Sequence, residues 1–360
     1  MTRYIKVLGI LMHGVTVLLT LVYFKILLEQ VGSTAYANYQ FVTGFTWLIQ
    51  FITISGLSPV LVKYGFSKKT NLAYLAYQYR IILVAFFVLF SAISFVALEI
   101  DYIAYICIAL TNLFFTVVIQ RYFVEKRFLI LRALGLFLIL MHIGFMSKLY
   151  QGITSWLTFE IMLFTIFLLI VPWKSFQFSL RRRVIKRGLS ITMINLWANI
   201  AAYIDRMIIG LFFPNELVNY HLAVAPSFHA KNALKPIIDE SIVSKTRLLS
   251  ILVKFSPLFL LLFTVLLVRY YYNVDIYYIV LYTLPVGVSL YFITKRLELA
   301  MYYSKSKFYI RNIEIAKNAS IIKSTLVTFC IILDIRLLGL LILLFEIGYF
   351  MAYRRIFKNV

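Results

Sequence analysis

Apolar runs of about twenty residues, separated by short polar connections, recur along the whole chain. A helix that crosses the hydrocarbon core of a bilayer needs roughly 20 mostly apolar residues. Twelve segments meet that requirement, at about 6–28, 36–61, 75–98, 102–120, 128–147, 154–172, 188–212, 217–238, 248–268, 276–294, 309–331 and 337–353. Each span with its connection takes about 30 of the 360 residues, which leaves no room for a separate soluble domain. The first segment is longer than the apolar region of a signal peptide and lacks a cleavage site, so it is expected to be retained. The pattern predicts an all-α polytopic membrane protein with about 12 transmembrane helices. The boundaries of the ninth to eleventh are the least sharply marked.

Composition agrees. The chain is 62% hydrophobic and 14% charged, where a soluble domain is roughly 45–50% apolar and about 25% charged. Its mean hydropathy is +0.91, and its 32 Phe and 26 Tyr are too many for one water-soluble core. The formal charge of +22 invites a nucleic-acid reading, and the placement of the charges decides against it. Alternate connections collect 24 Lys and Arg, Lys295 and Arg296 among them; the opposite set holds only Lys148, Arg269 and Arg336. Basic residues gather on the cytoplasmic side of membrane proteins. Both termini are therefore expected in the cytoplasm, with an even number of spans and no nucleic-acid partner.

No catalytic or metal constellation is apparent. His13, His142, His221 and His229 are scattered, Cys107 and Cys330 sit alone in apolar runs, and no ligand spacing appears. Neither a cofactor nor a metal is expected.

The most basic connection, "SLRRRVIKRG", lies almost at the midpoint, and a weak repeat runs across it. At an offset of 181 residues Lys25 matches Arg206, Asn38 matches Asn219 and Tyr39 matches Tyr220. An even number of helices in each half gives the copies one orientation, as parallel repeats with a cavity between two bundles. This divides the chain into six-helix lobes at 1–176 and 177–360 around a central cavity.

Ionisable groups inside the spans are the candidates for function, because a basic residue at mid-membrane costs about 2.5–3.5 kcal/mol on insertion scales. Arg206 lies six residues, roughly 9 Å, from the outer end of its span. Asn199, Asn195 and Thr192 precede it by 7, 11 and 14 residues, one face of a helix. Such a stripe suits a water-filled or protein-lined interior rather than lipid. Asp205 lies beside Arg206 as a charge partner. The pair either pins the helix end or marks a cationic point on a transport path. Lys231 and Lys235 share one face of the next span, and Lys231 is the deeper. His13 and Thr16 give the first span a polar face. Lys25 is off that face and one turn from the end, so it either faces the interior or snorkels to the headgroups. Glu160 is the one acid deep in the sixth span, as a counter-ion or a titrating coupling group.

Two stretches carry a family resemblance. "KILLEQVGSTAYANYQFVTGFTWLIQFITISGLSPVLVKYGF" (25–66) has Gly32, Tyr36 and Tyr39 leading into the second helix, then Gly56, Leu57, Ser58, Lys63 and Tyr64. "YIDRMIIGLFFPNELVNYHLA" (203–223) has Asp205, Arg206, Gly210, Glu216 and Tyr220. Both resemble the halves of O-antigen and capsule polysaccharide flippases, of the multidrug/oligosaccharidyl-lipid/polysaccharide exporter superfamily. The chain departs from that pattern at Ala37 and Asn219, where a Gly often precedes the Tyr. The resemblance implies two six-helix lobes about a V-shaped cavity in a bacterial cytoplasmic membrane. It implies, as substrate, a polyprenyl-diphosphate-linked oligosaccharide moved from the inner to the outer leaflet. Membrane lipid, a polysaccharide polymerase and a chain-length regulator are the implied partners.

Two rival classes read differently. A membrane polymerase or sugar acyltransferase would need an acid–base cluster, and a polymerase usually has a long outer loop; every outer connection here is short. A drug or peptide exporter of the same superfamily would lean on intramembrane acids, and this chain has few: Asp205, Glu160, Asp239 and Glu346. The chain is expected not to be an enzyme.

Overall fold

The computed structural model describes residues 2–54, 128–148, 158–163, 165–166, 182–244, 261–303 and 309–358. Among them there is helix and turn but no strand. The principal helices are α1 (Thr2–Val31), α2 (Ser33–Ile54), α3 (Phe128–Lys148), α4 (Arg182–Phe212), α5 (Pro214–Ser244), α6 (Leu284–Tyr303), α7 (Tyr309–Asp334) and α8 (Leu338–Lys358). Each overlaps a span expected from the apolar pattern. The segments expected at 75–98 and 102–120 lie outside the described residues.

Among the described residues, three stretches are long and apolar enough to cross a membrane: Leu11–Val31, Ile276–Ile293 and Glu314–Arg355. Many of the outward side chains are large and apolar, with Leu333 at 81% exposure and Phe329 at 61%. A surface of this kind suits lipid rather than water. The described residues are thus all-helical, with the apolar exterior of a membrane protein.

The chain divides into two compact units, Met1–Tyr203 and Ile204–Val360. The division falls inside α4.

In the first unit α1 runs unbroken for 30 residues and stops at Gly32. Gly32 has φ of +83°, the left-handed conformation that glycine adopts without steric penalty and that ends helices. Its N–H donates to the Leu28 carbonyl at 3.0 Å, and its own carbonyl accepts from the Tyr36 N–H at 3.1 Å. One residue therefore serves as the whole turn between α1 and α2. The long contact in this unit is α1 on α3. Beyond α3, residues 158–163 are helical, and Phe159 stacks on Phe145 of α3 with ring centroids 3.9 Å apart.

In the second unit α4 ends at Phe212, and α5 begins with Pro214. Proline is favoured at a first helical position, where its missing N–H has no intrahelical partner to lose. Glu216 in the first turn sits where the helix dipole favours an acid. Residues 217–227 of α5 are buried except Asn219, so the start of this helix is enclosed by its neighbours. Two π turns follow, Leu267–Tyr271 and Ile279–Thr283, separated by a bend and the single α-turn Ile276–Tyr278. The second is pinned on two sides. Thr283 Oγ1 donates to the Ala223 carbonyl of α5 at 3.0 Å, and the Tyr282 hydroxyl donates to the Ile335 carbonyl at 3.2 Å.

α7 and α8 form a hairpin. Asp334 leaves the helix with φ of −160° and ψ of 106°, and its carboxylate accepts from the Arg336 N–H, capping the 3-10 turn Ile335–Leu337. Gly339 then packs so closely that a Cβ would meet the Leu281 carbonyl. α8 also packs along α6, so α6, α7 and α8 are brought together around one ionic cluster.

Candidate functional site

Arg206 and Asp205 are both buried, at 8% and 4% exposure. They sit six and seven residues before Phe212, the end of α4. Asp205 Oδ1 accepts from the backbone N–H of Arg206 at 2.8 Å, and Oδ2 accepts from the Tyr220 hydroxyl of α5. The carboxylate is thus engaged with Tyr220 across the α4–α5 turn, a partner that sequence reasoning did not name. The guanidinium carbon of Arg206 lies 5.8 Å from the centre of the Phe228 ring, within cation–π range. His221 and His229, on the same face of α5, lie within electrostatic reach of it. A cation set against a phenyl ring, with two histidines within electrostatic reach, is therefore built into the α4–α5 pair.

Around Asp205 the tyrosines continue. Tyr220 meets Tyr282 edge-on at 5.2 Å, and Tyr282 stacks on Tyr278 at 6.1 Å. Glu216 and Asn219 of α5 lie within electrostatic reach of the Tyr278 hydroxyl. This network ties α5 to the π-turn segment and fixes the carboxylate beside Arg206.

The remaining expected residues are placed as follows. Thr192, Asn195 and Asn199 lie on α4, and Lys231 and Lys235 on α5; their side chains are outside the described residues. Lys25 pairs with Glu29 one turn on, at 3.7 Å, and the Glu29 side chain is 60% exposed. Thr16 Oγ1 donates to the Met12 carbonyl of its own helix at 2.8 Å, and Thr20 does the same to Thr16. These hydroxyls are satisfied within α1. His13 Nδ1 accepts from the Arg132 guanidinium of α3 at 2.9 Å. Glu160 is 1% exposed and bonds His142 Nε2 at 3.0 Å.

One cluster was not anticipated. The charge pattern puts Arg296 in an inner connection, but the structure places it inside α6. Its Nη1 is 2.6 Å from Glu346 Oε2 on α8, and Lys323 Nζ of α7 is 3.0 Å from Oε1. Arg296 also lies over the Tyr349 ring at 3.9 Å. Lys323 and Glu346 are 12 and 11 residues from Ile335, about 16–18 Å along their helices. That is roughly half the thickness of a hydrocarbon core of about 30 Å. An acid so buried is tolerable because two cations complete its hydrogen bonds.

No group of three or more His, Cys, Asp or Glu among the described residues is arranged to hold a metal ion. Fold and site together define a helical membrane protein with ionisable groups held between its helices. No family model, curated protein or solved structure matches the chain.

Proposed function

We propose that the chain is a flippase that carries a polyprenyl-diphosphate-linked oligosaccharide repeat unit from the inner to the outer leaflet of a bacterial cytoplasmic membrane. The observation that carries this reading is the buried Arg206, set against Phe228 and within reach of His221 and His229. A guanidinium offers a planar fork of donors that binds phosphate oxygens in a bidentate manner. At membrane depth a cation is costly, and such residues line ion and substrate pathways. The flippase-like residues at 25–66 and 203–223 point to the same substrate.

In this reading the guanidinium receives the diphosphate, the weakly hydrated aromatic wall excludes water, and the sugar rings pass over tyrosine and phenylalanine faces. Asp205, held by Tyr220 and by a backbone amide, orients the helix turn that presents the cation. The lipid tails stay in the bilayer while the headgroup crosses. Access alternates by rocking of one bundle against the other.

The test is loss of the gene in its host, followed by lipid extraction and sidedness analysis. A flippase leaves single lipid-linked repeat units accumulating on the cytoplasmic face. Unpolymerised units on the outer face would instead identify a polymerase.

A further inference from the structure

The His142 imidazole of the first unit is held at both nitrogens. Nδ1 lies 2.8 Å from the Leu138 carbonyl oxygen, one turn back on α3. A carbonyl only accepts, so Nδ1 carries a hydrogen. Nε2 lies 3.0 Å from Glu160 Oε1, and that contact also requires one hydrogen between its two atoms. The hydrogen resides either on Nε2, as an imidazolium facing a carboxylate, or on Oε1, as a carboxylic acid facing a neutral ring. Without it, a lone pair on Nε2 faces a carboxylate oxygen. Two acceptors at hydrogen-bond distance repel, and Glu160 is 1% exposed, so water does not relieve them. The observed geometry therefore contains one exchangeable proton.

The surroundings make that proton matter. Glu160 Oε2 is buried with no hydrogen-bond partner among the described residues, so no described donor compensates an ionised carboxylate. Tyr23 of α1 and Phe159 close on the imidazole edge-on, with ring centroids at 5.5 and 5.3 Å. On the helices packed here, Tyr23 is the described titratable group facing the pair. Lys25 of α1 is paired with Glu29. The Arg132–His13 bond lies ten residues away along α3, about 15 Å.

We propose that His142 and Glu160 together form a binding site for a single proton, and that releasing it loosens α3 from the helical segment at 158–163. In the forward step the shared proton leaves to water. It leaves a ring protonated at Nδ1 alone and an ionised Glu160, and the Nε2–Oε1 contact parts. Rebinding one proton restores it. Only the further step, that this opening and closing is linked to carriage of a substrate, rests on the transport reading above.

The experiment uses the full-length protein in lipid nanodiscs, labelled with ¹⁵N at its four histidines, with His142 assigned by loss of its signals in His142→Gln. The Nδ1 signal is expected to remain that of a protonated nitrogen throughout the pH range in which the protein is folded. The Nε2 signal is expected to switch from hydrogen-bonded to bare in a single step. Glu160→Gln should abolish that step, because a neutral amide supplies its own hydrogen and has no proton to lose. An Nε2 signal that never changes in the folded wild type would overturn the proposal, as would a step that persists unaltered in Glu160→Gln. Should either variant fail to fold, the wild-type titration still decides, with His142 assigned from ¹⁵N–¹³C contacts to Leu138. Because this readout involves no substrate, a protein that shows the proton step but moves no lipid-linked sugar refutes the transport reading and leaves the proton site standing.

Discussion

The hydroxyl of Tyr220 donates to the carboxylate of Asp205 across the turn between α4 and α5. Both side chains are buried, so the bond joins two groups that each need a partner. Removing the hydroxyl leaves one carboxylate oxygen without its donor, a loss of about 1–3 kcal/mol for a buried group. Tyr220→Phe should therefore lower the unfolding midpoint in detergent by that order. Asp205→Asn, which keeps an acceptor for Tyr220, should lose less. Equal stability of Tyr220→Phe and wild type would show that the bond holds nothing together.

The Arg296–Glu346–Lys323 cluster makes an ordered prediction. Neutralising the acid leaves two cations facing one another inside the helix bundle, and breaking a buried pair in this way costs about 3–5 kcal/mol. Removing Lys323 leaves an Arg296–Glu346 pair that is still complete. Glu346→Gln should destabilise strongly, Lys323→Met weakly, and the double variant less than Glu346→Gln alone. Unfolding monitored by circular dichroism checks the order.

Backbone contact sets a third expectation. Gly339 faces the Leu281 carbonyl so closely that a methyl group cannot enter without a backbone shift, while Gly348 on the same helix faces open space. Gly339→Ala should cost about 1–3 kcal/mol by overpacking. Gly348→Ala should be neutral or stabilise by up to about 1 kcal/mol through helix propensity. The two variants compared by thermal unfolding isolate the packing effect from the change of residue type.

The helices were readable because hydrocarbon-length apolar runs leave few alternatives; α1, α7 and α8 all fall on expected segments. The partners of the buried acids were not read, yet a pattern in the sequence marks them. Asp205 and Tyr220 lie eight and seven residues to either side of Phe213, and Lys323 and Glu346 lie 12 and 11 from Ile335. In an antiparallel helical hairpin, residues equidistant from the turn stand at one level. A lone buried acid could have been matched to its partner by that mirror rule. Arg296 escaped for another reason: positive-inside counting assigns a basic residue near a helix end to a connection. Here α6 continues past it to Tyr303, and the charge is turned inward to Glu346.

The weak repeat equates Lys25 with Arg206, but their settings differ. Lys25 reaches the exposed Glu29, while Arg206 is enclosed by α4 and α5. Exposed pairs of this kind contribute about 0.3–0.5 kcal/mol on a helix. Lys25→Ala should leave surface polysaccharide close to wild-type amounts, whereas Arg206→Ala should abolish it at normal protein level. Equal losses from both variants would place the two cations on the same footing.

Transfer in a reconstituted system addresses the proposed function with the fewest intermediates. Purified protein is placed in liposomes that carry a polyprenyl-diphosphate-linked oligosaccharide in one leaflet, and the arrival of sugar in the other leaflet is followed with a membrane-impermeant lectin or glycosidase. The wild-type protein should accelerate arrival many-fold over empty liposomes. Arg206→Ala should return the rate to background, and Arg206→Lys should retain part of it. A wild-type rate no faster than protein-free liposomes, or an Arg206→Ala protein as fast as wild type, would contradict a cation-guided diphosphate path.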